Sequence, residues 1–266
     1  MAITALHTAA TGMQALSTKI DVIANNIANA ETPGFKASRA NFQDLLYQVR
    51  AQPGVQTSSD TSTPLGTQIG LGVALSNTQI LFRQGSAMQT GRGLDAMIQG
   101  DGFFQIELPD GGTAYTRAGN FVRNPDGILV LGHSQGFRVK DSPTIPAEVA
   151  DDRVSISSDG QVIATLADGT AQSLGQLNLA RFPNPSGLIQ YGGNLFLASP
   201  ASGDAVEGTP GQTGLGTILP QSLELSTTEA VTELVELIKT QRVFQMNSQT
   251  IQTADEALQV VANLRR

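Results

Sequence analysis

Several residue types that commonly carry chemistry are absent or scarce in this chain of 266 residues. It has no cysteine and no tryptophan, and only 5% of its residues are aromatic. Without cysteine there is no disulfide, no thiolate nucleophile and no Cys-based metal site. The only two histidines are His7 and His133, so there is little material for a catalytic or metal-binding set.

Charge is also scarce. Only 15% of residues are charged, and the formal net charge is −7. A nucleic-acid-binding protein would usually carry a basic face, so this balance argues against that class. The polar character comes instead from Gln, Asn, Ser and Thr, which cost less to desolvate than charges do. Such a surface suits extensive contact with other protein.

The chain contains no apolar run of about 18 residues, so no membrane span is expected. Its first residues, MAITALHTAATGMQ, have no basic segment followed by an apolar one. An ordinary cleaved signal peptide is therefore not expected. We expect a cytosolic protein, or one that leaves the cell by a route that keeps its N-terminus intact.

The last forty residues, from Thr227 to Arg266, contain neither Pro nor Gly. Apolar residues recur in them every seven positions, at Ala230, Leu237, Phe244, Ile251 and Leu258, with Leu234, Ile238, Ala254 and Val261 beside them. This spacing predicts one long helix with an apolar stripe.

A second helix is predicted over residues 2–30. Its apolar positions alternate spacings of three and four, through Ile3, Leu6, Ala10, Met13, Ser17, Ile20, Ala24 and Ile27, and Leu16 and Ile23 widen the line. Alternation of three and four is typical of a helix that packs along a seam. The sequence Glu31-Thr32-Pro33-Gly34 ends the helix, because the residue before a proline is pushed out of the helical conformation.

The middle of the chain indicates a self-contained β-domain. Short β-prone runs, such as Phe103–Ile106 and Gln161–Ala164, are bounded by Asp-Gly turns, and Asp-Gly favours tight antiparallel hairpins. The turns stand at Asp110-Gly111, Asp126-Gly127, Asp159-Gly160 and Asp168-Gly169. The preceding stretch, Gln52 to Gly72, is rich in Pro, Gly, Ser and Thr. It is either a flexible linker or an extended arm that becomes ordered against neighbouring subunits.

These patterns predict an α+β fold in which the two terminal helices pair as a coiled-coil domain. The predicted parts are an N-terminal helix at residues 1–32, a connecting segment and arm at 33–72, a mostly antiparallel β-domain at 73–225 and a C-terminal helix at 226–266. The alternative is that both helices pack on a single globular core. We favour the paired helices, because a self-contained β-domain leaves the two stripes to cover each other and copies of themselves.

No catalytic, cofactor-binding or metal-binding residues are predicted. His133 and Ser134 lie beside Gly132, and nothing in the sequence supports the geometry of a catalytic triad. The Asp residues at turns do not follow the alternating Asp/Asn pattern of calcium loops, and the Gly beside them indicates turn chemistry instead. A structural protein, rather than an enzyme, is expected.

Two terminal segments resemble the signatures of the bacterial flagellar rod and hook family. The first runs from Asp21 to Lys36 and reads DVIANNIANAETPGFK, with Asn25, Asn26, Asn29, Thr32, Pro33, Gly34 and Phe35 as its motif residues. The second comprises Gln241–Ser248 and Ile251–Glu256 near the C-terminus. The central segments Gly100–Ile106 and Ala114–Phe121 look like the β-domain of the longer rod members. A segment with Pro53 and Gly54 is similar to an arm that the subunits of the distal rod carry.

The resemblance implies a structural subunit of the distal rod, which polymerises into a stiff helical tube that transmits torque to the hook and encloses an export channel. Its implied partners are copies of itself, proximal rod proteins, the hook protein, the surrounding ring proteins and the flagellar type III export apparatus. The implied location is the basal body, where the rod crosses the periplasm. A proximal rod protein and a secreted glycan-binding β-module are the alternatives.

The predicted assembly contacts are the apolar residues of the two helical stripes. They are Ile3, Leu6, Met13, Ile20, Ile27, Leu237, Phe244, Ile251 and Leu258. The last four are expected to be exposed in a single chain and buried in the polymer.

Overall fold

A computed structural model describes residues 2–54, 56–58, 61–62, 65–166, 169–212 and 214–264 of the chain. The chain divides into two compact units. Residues 1–28, 38–79 and 230–266 form the first, which we call the helical unit, and residues 29–37 and 80–229 form the second, the β unit. The residues just after the N-terminal helix and just before the C-terminal helix thus belong to the β unit.

The helical unit contains both predicted helices. Helix α1 spans Ala2–Ala28 and helix α2 spans Ala230–Leu264. The strands of this unit are β1 (Ser38–Asp44), β2 (Tyr47–Ala51), β3 (Gln56–Ser58), β4 (Thr61–Ser62), β5 (Thr67–Gly70) and β6 (Val73–Ile80). Strand β1 pairs with β6, β2 with β5 and β3 with β4. The predicted α+β composition is therefore confirmed.

The stretch that was expected to be a linker or an arm forms strands in part. Strands β2 and β5 pair antiparallel, with Tyr47 opposite Gly70 and Gln48 opposite Ile69. Every side chain of β2 is exposed, so this hairpin has no core of its own. Pro53 and Gly54 lie in an exposed turn, where Gly54 has a φ of 82°. The remaining residues of the stretch, 55, 59, 60, 63 and 64, lie outside the described residues.

The β unit contains sixteen strands among its described residues. They are β7 (Ala87–Gln89), β8 (Ala96–Gln99), β9 (Phe103–Glu107), β10 (Thr113–Thr116), β11 (Phe121–Arg123), β12 (Leu129–Leu131), β13 (Arg138–Val139), β14 (Val154–Ile156), β15 (Gln161–Thr165), β16 (Ala171–Gln176), β17 (Leu179–Arg181), β18 (Ile189–Gly192), β19 (Leu195–Leu197), β20 (Val206–Gly208), β21 (Thr217–Pro220) and β22 (Ser222–Glu224). Two short 3₁₀ turns at Asp151–Arg153 and Pro185–Gly187 complete it.

The main sheet of the β unit has nine strands. Seven follow the order β11-β12-β13-β9-β10-β19-β18, while β17 pairs with β9 and β20. A second sheet has the order β14-β15-β16, and β21-β8 and β22-β7 form separate pairs. Each of these registers is antiparallel, as predicted.

The Asp-Gly turns connect successive antiparallel strands, as the sequence predicts. Gly111, Gly127 and Gly160 have φ values of 81°, 81° and 86°, a conformation that glycine adopts without a steric penalty. They follow β9, precede β12 and precede β15 respectively. Gly169 also has a positive φ, of 84°, whereas the Asp168 beside it lies outside the described residues.

The inner faces of these strands form a continuous apolar core. Ile98, Ile106, Phe121 and Leu129 are fully buried within it. A second cluster contains aromatic rings, and its Phe103 contacts three further phenylalanines edge-on, with centroids 5.4 Å away in Phe82, 5.9 Å away in Phe182 and 6.1 Å away in Phe196. Burial of so many large side chains is the main force that holds this unit together.

Candidate functional site

Helices α1 and α2 lie against each other within the helical unit and run in opposite directions. Lys19 of α1 forms an ion pair with Glu236 of α2. Closer to the end of α1, Asn26 donates a hydrogen bond of 3.3 Å to Glu233 near the start of α2. Contacts move toward the start of α2 as they move toward the end of α1. The helices are therefore antiparallel.

A close approach between the two helices lies in the first half of α1. A Cβ atom built on Gly12 would stand 2.9 Å from the side-chain nitrogen of Asn247. Glycine in a helix costs about 1 kcal/mol relative to alanine. We infer that this cost is accepted at Gly12 because the side chain of Asn247 occupies the space that a Cβ would need.

Asn26 ties three elements of the helical unit together. It is 2% exposed. Its amide nitrogen donates a 2.8 Å hydrogen bond to the carbonyl oxygen of Ser38, and its amide oxygen accepts a 3.0 Å bond from the backbone N–H of the same residue. With the bond to Glu233, Asn26 links the end of α1, the start of β1 and the start of α2. This residue of the family motif therefore has a positioning role inside a single chain.

The two carboxylates of α2 that face α1 have opposite pKa shifts. Partial burial raises the pKa of Glu233, although the hydrogen bond from Asn26 opposes this effect. The hydrogen bond from Lys19 lowers the pKa of Glu236. Polar contacts thus lie between the helices alongside apolar ones, and such contacts restrict the registers in which two helices can pack.

The predicted contact residues of α2 fall mostly inside the helix pair. Leu237, Phe244 and Ile251 are half-buried on the face that carries Glu233 and Thr240. The expectation that these three are exposed in a single chain is therefore wrong, because α1 of the same chain covers their side. Leu258 is 36% exposed. The role of all four as contacts between subunits stays a prediction.

The covered side of α1 includes the large residues of the predicted line but not its small ones. Leu6, Met13, Ile20 and Ile27 are half-buried, and the side chain of Ile3 lies outside the described part. The small residues of the line are instead exposed, at Ala10, Ser17 and Ala24. Ala9 and Ile23 are buried and Leu16 is half-buried in their place. Larger apolar side chains gain more from burial, so Leu16 and Ile23 take the inner positions over Ser17 and Ala24.

The part of the N-terminal motif that follows α1, from Asn29 onward, lies in the β unit. Thr32 hydrogen-bonds Asn29 through both its backbone N–H and its hydroxyl, each at 3.2 Å. The carbonyl oxygen of Pro33 accepts a 2.9 Å bond from the side chain of Asn194. Gly34 has a φ of 73°, and a Cβ there would lie 2.6 Å from the backbone of Ala118. The motif therefore encodes a turn that packs directly on the β sheet.

The chain segments that enter and leave the β unit are joined by backbone contacts. The N–H of Gly34 donates to the carbonyl oxygen of Glu224 at 2.8 Å, and the N–H of Thr227 donates to that of Phe35 at 3.2 Å. The hydroxyl of Thr227 accepts a 2.9 Å bond from the N–H of Ala37. These bonds hold residues 34–37 beside residues 224–227.

A buried ion cluster lies at the same place. The ammonium of Lys36 donates 2.6 Å bonds to Glu224 and to the carbonyl oxygen of Arg83, and Glu224 also accepts a 2.7 Å bond from the N–H of Gly85. Arg117 lies 3.7 Å from the other oxygen of Glu224, with its guanidinium over the ring of Phe103. The side chains of Lys36 and Glu224 are 1% and 0% exposed.

This cluster holds two cations and one carboxylate. Nε and Nη1 of Arg117 and Oε2 of Glu224 have no hydrogen-bond partner among the described residues. Burial lowers the pKa of Lys36, and Glu224 opposes that effect; burial likewise lowers the pKa of Arg117. A buried pair of this kind is costly to break, because either partner left alone is an uncompensated charge. Sequence reasoning missed the cluster, since its members stand far apart in the chain.

Among the residues that the structure describes, no group of three His, Asp or Glu side chains is arranged to hold a metal ion. His133 lies beside Gly193 in a shallow pocket that the turn at Thr32 and Pro33 also lines. Neither α1 nor α2, as far as the structure describes them, is apolar enough over its length to cross a membrane.

Three protein-family models match separate parts of the chain. One described as a flagella basal body rod protein matches residues 6–36. One described as the flagellar hook protein FlgE/F/G D1 domain matches residues 97–164. The third, the C-terminal region of the flagellar basal body rod FlgEFG proteins, matches residues 219–264. The matches thus cover both terminal motifs and much of the main sheet.

Relatives match the chain over nearly its full length. A flagellar basal-body rod protein FlgG from Caulobacter vibrioides is 46% identical over 98% of this chain and 99% of the relative. Proteins of the same name from Borreliella burgdorferi and Bacillus subtilis are each 40% identical over 98% of both chains. The chain therefore belongs to the flagellar rod and hook family. Within that family, these three relatives are all FlgG proteins of the rod.

A solved structure, the flagellar hook protein FlgE2 of Helicobacter pylori, is 15% identical to this chain. The match covers 71% of this chain and 43% of the hook protein, with a TM-score of 0.25. That similarity is too low to add to the fold described above.

Proposed function

We propose that this protein is the structural subunit of the distal rod of the flagellar basal body. It polymerises into a stiff helical tube that transmits motor torque to the hook and encloses the export channel. The observation that carries this proposal is 46% identity, over 98% of the chain, to a flagellar basal-body rod protein. The family is one of structural components, and the subunit works by assembly rather than by catalysis.

The helical unit forms the inner layer of the tube. Its antiparallel helices continue as coiled coils between subunits, and Leu258, which α1 leaves 36% exposed, is available for such contact. An open helical polymer requires heterologous contacts that do not close into a ring. Each large apolar side chain that becomes fully buried contributes about 1.5–3 kcal/mol. Because these contacts repeat along the tube, their combined stabilisation makes the tube a stiff shaft.

The β unit supports the outer layer. Its core is complete within one chain, and the cluster of Lys36, Arg117 and Glu224 fixes the segments through which the chain enters and leaves it. The exposed hairpin of β2 and β5 supplies a further surface for neighbouring subunits.

The proposed partners of the subunit are those that its location in the rod of the basal body implies. They are further copies of this chain, proximal rod proteins, the hook protein, the surrounding ring proteins and the flagellar type III export apparatus. The subunit is exported without a cleaved signal peptide and assembles where the rod crosses the periplasm. It binds no nucleic acid and inserts in no membrane.

Two other functions have less support. A proximal rod subunit would share the terminal motifs. The position of the subunit along the rod distinguishes a proximal from a distal rod subunit. A secreted glycan-binding module would need clustered exposed aromatic rings. Among the described residues of the β unit, Tyr191 is the one large aromatic side chain that is exposed. The β unit therefore offers no aromatic platform in that part.

Complementation followed by electron microscopy tests the proposal. An epitope tag in the exposed turn at Gly111 marks the subunit, and gold label is expected on the rod segment that adjoins the hook. Label on the membrane-proximal segment would instead favour a proximal rod subunit. Deletion of residues 227–266 is expected to abolish the rod. A complete rod built by the deletion variant would overturn the proposal.

A further inference from the structure

Helix α2 has a second apolar line on the side that faces away from α1. Its members are Val231, Leu234, Val235 and Ile238, which are 76%, 51%, 47% and 45% exposed, and Met246, which is 63% exposed. Because an α-helix turns about 100° per residue, this line lies roughly opposite the line of Glu233, Thr240 and Phe244. Scattered apolar residues on a surface need no explanation, but four exposed apolar side chains within about two helical turns, from Val231 to Ile238, form a patch, and such patches mark interaction surfaces.

Helix α1 has an outer face of the opposite character. Ala10, Ser17, Ala24 and Ala28 are exposed on one side of it, and Gln14 and Asp21 lie among them. Most of these side chains are small, so another helix can approach this face closely. Large side chains on one helix and small ones on the other pack with interdigitation, as ridges into grooves do.

Each outer face also carries a charge, and these two charges have opposite signs. Asp21 lies in the middle of the outer face of α1, and Arg242 continues the outer line of α2 one turn after Ile238. Both are exposed, and neither forms an ion pair with any residue that the structure describes. They belong to the N-terminal and C-terminal family motifs respectively. Within one chain they lie on outward faces and cannot meet.

We propose that the outer face of α2 docks on the outer face of α1 of a second copy of this chain, with Arg242 paired to Asp21 across the contact. The proposal rests on the proposed function, because a polar helical polymer holds all its subunits in one orientation. As α1 and α2 are antiparallel within a chain, α2 of one copy and α1 of the next are antiparallel too. The contact is heterologous and therefore propagates.

The register follows from the charge pair. Four residues beyond Arg242, Met246 meets Ser17, which precedes Asp21 by four residues. Seven residues before Arg242, Val235 meets Ala28, which follows Asp21 by seven. In this register Met246 falls on Ser17, Val235 falls on Ala28 at the end of α1, and Ile238 lies opposite Asn25. Leu234 and Val231 extend past the last residue of α1.

Charge reversal tests the ion pair in the full chain. Asp21→Arg and Arg242→Asp are each expected to lose rod assembly and motility, and the double variant Asp21→Arg/Arg242→Asp to recover both. Reversal of an exposed charge in the β unit, Glu148→Arg, is the matched control and is expected to assemble. Thermal unfolding of the free single variants should equal that of the wild type, because neither residue has an ion-pair partner within the described chain. Singles that assemble normally, or a double that fails like the singles, would overturn the pairing.

Cross-linking tests the register, and the absence of native cysteine makes it unambiguous. Polymer assembled from a mixture of Ser17→Cys and Met246→Cys chains is expected to give disulfide-linked dimers on oxidation. Each variant alone is expected to give none. Dimers from Met246→Cys alone would overturn the proposal by showing that α2 contacts α2, and polymers without mixed dimers would overturn it by showing that another surface makes the contact. If wild-type chains form no polymer, the proposed function itself fails. This outcome is distinct from a polymer that forms without mixed dimers, which contradicts only the proposed contact.

Discussion

The β unit and the helical unit satisfy their polar and apolar groups in different ways. In the β unit, the inner faces of the main sheet are covered within the chain, and even the charges of Lys36 and Glu224 are buried with partners. In the helical unit, the helix pair covers only the inner line of α2, and the large side chains of the outer line are at least 45% exposed. The β unit is thus complete in one chain, whereas the helical unit leaves an apolar line open, as the proposed polymer requires.

The ion cluster provides the largest test of this comparison. Glu224→Gln removes the carboxylate that pairs with Lys36 and leaves Lys36 buried without an acidic partner, while Arg117 keeps only the weaker attraction of Asp101. We expect a loss of about 3–5 kcal/mol from the free energy of unfolding of the β unit. Scanning calorimetry with hydrogen exchange of the β9 and β10 amides measures it.

The matched control for that change is Glu148→Gln, at an exposed position of the same unit. It should leave the unfolding temperature of the β unit unchanged. An equal, small effect of both variants would mean that the buried cluster contributes little to the stability of the unit.

Overpacking between the helices should have the next largest effect. Gly12→Leu places a side chain where Asn247 now lies, 2.9 Å from the Cβ position. We expect a cost of about 1–3 kcal/mol, because extra volume in a close contact forces the helices apart. Thermal loss of the helical circular-dichroism signal measures it. His7→Leu, at an exposed position of the same helix, serves as control; equal melting of the two variants would rule out close packing at Gly12.

Removal of the Asn26 contacts should have a smaller effect on the same unit. Asn26→Ala removes two hydrogen bonds to Ser38 and one to Glu233. The expected cost is about 1 kcal/mol in the free energy of unfolding of the helical unit. Exchange of the Ser38 amide should become faster, whereas the exposed control Gln14→Ala should leave it as it is. Unchanged protection of Ser38 in Asn26→Ala would contradict the positioning role.

The smallest effect concerns pH. Glu233 has a raised pKa in the fold, so its contribution to stability is present below its ordinary pKa of 4.5 and is lost as the pH rises through the raised value. Glu236 has a lowered pKa, so its contribution is present above 4.5 and is lost as the pH falls through the lowered value. Wild-type helical stability should therefore rise on acidification just above pH 4.5.

Glu233→Gln keeps a hydrogen-bond acceptor for Asn26 and removes the titration. The variant should lack the rise in stability just above pH 4.5, while the loss below it, which belongs to Glu236, should persist. Helix melting over a series of pH values measures both parts. Identical profiles for the wild type and the variant in that window would show that Glu233 does not titrate differently in the folded helix pair.

Local sequence patterns are sufficient to predict the two helices and the turns between strands. The seven-residue recurrence from Leu237 to Ile251 predicts α2, and the Asp-Gly pairs predict hairpins that the structure contains, because both signals act between residues close in the chain. In α1, the large residues of the predicted line, such as Met13 and Ile20, are half-buried, whereas its small residues Ala10, Ser17 and Ala24 are exposed. The spacing of residues in the sequence does not distinguish Ala10 and Ser17 from Leu16 as candidates for burial. The packing of α1 against α2 shows which of these side chains are covered.

The ion cluster lies beyond such reasoning. Lys36 and Glu224 are separated by 188 positions in sequence, and no periodicity links them. Phe35 and Lys36 belong to a motif that the sequence reveals, but their role in joining the entry and exit of the β unit follows only from the fold. The same holds for Asn26, whose partner Ser38 lies past a turn that belongs to the other unit.

The central claim is that the outer line of α2 is open in one chain and covered in the polymer. A single cysteine at Val235, which is 47% exposed, measures this directly through its rate of thiol labelling. The account predicts that Val235→Cys reacts in the free folded chain nearly as fast as in denaturant and becomes protected in assembled rods. Equal labelling rates in the free chain and in the rod would contradict it.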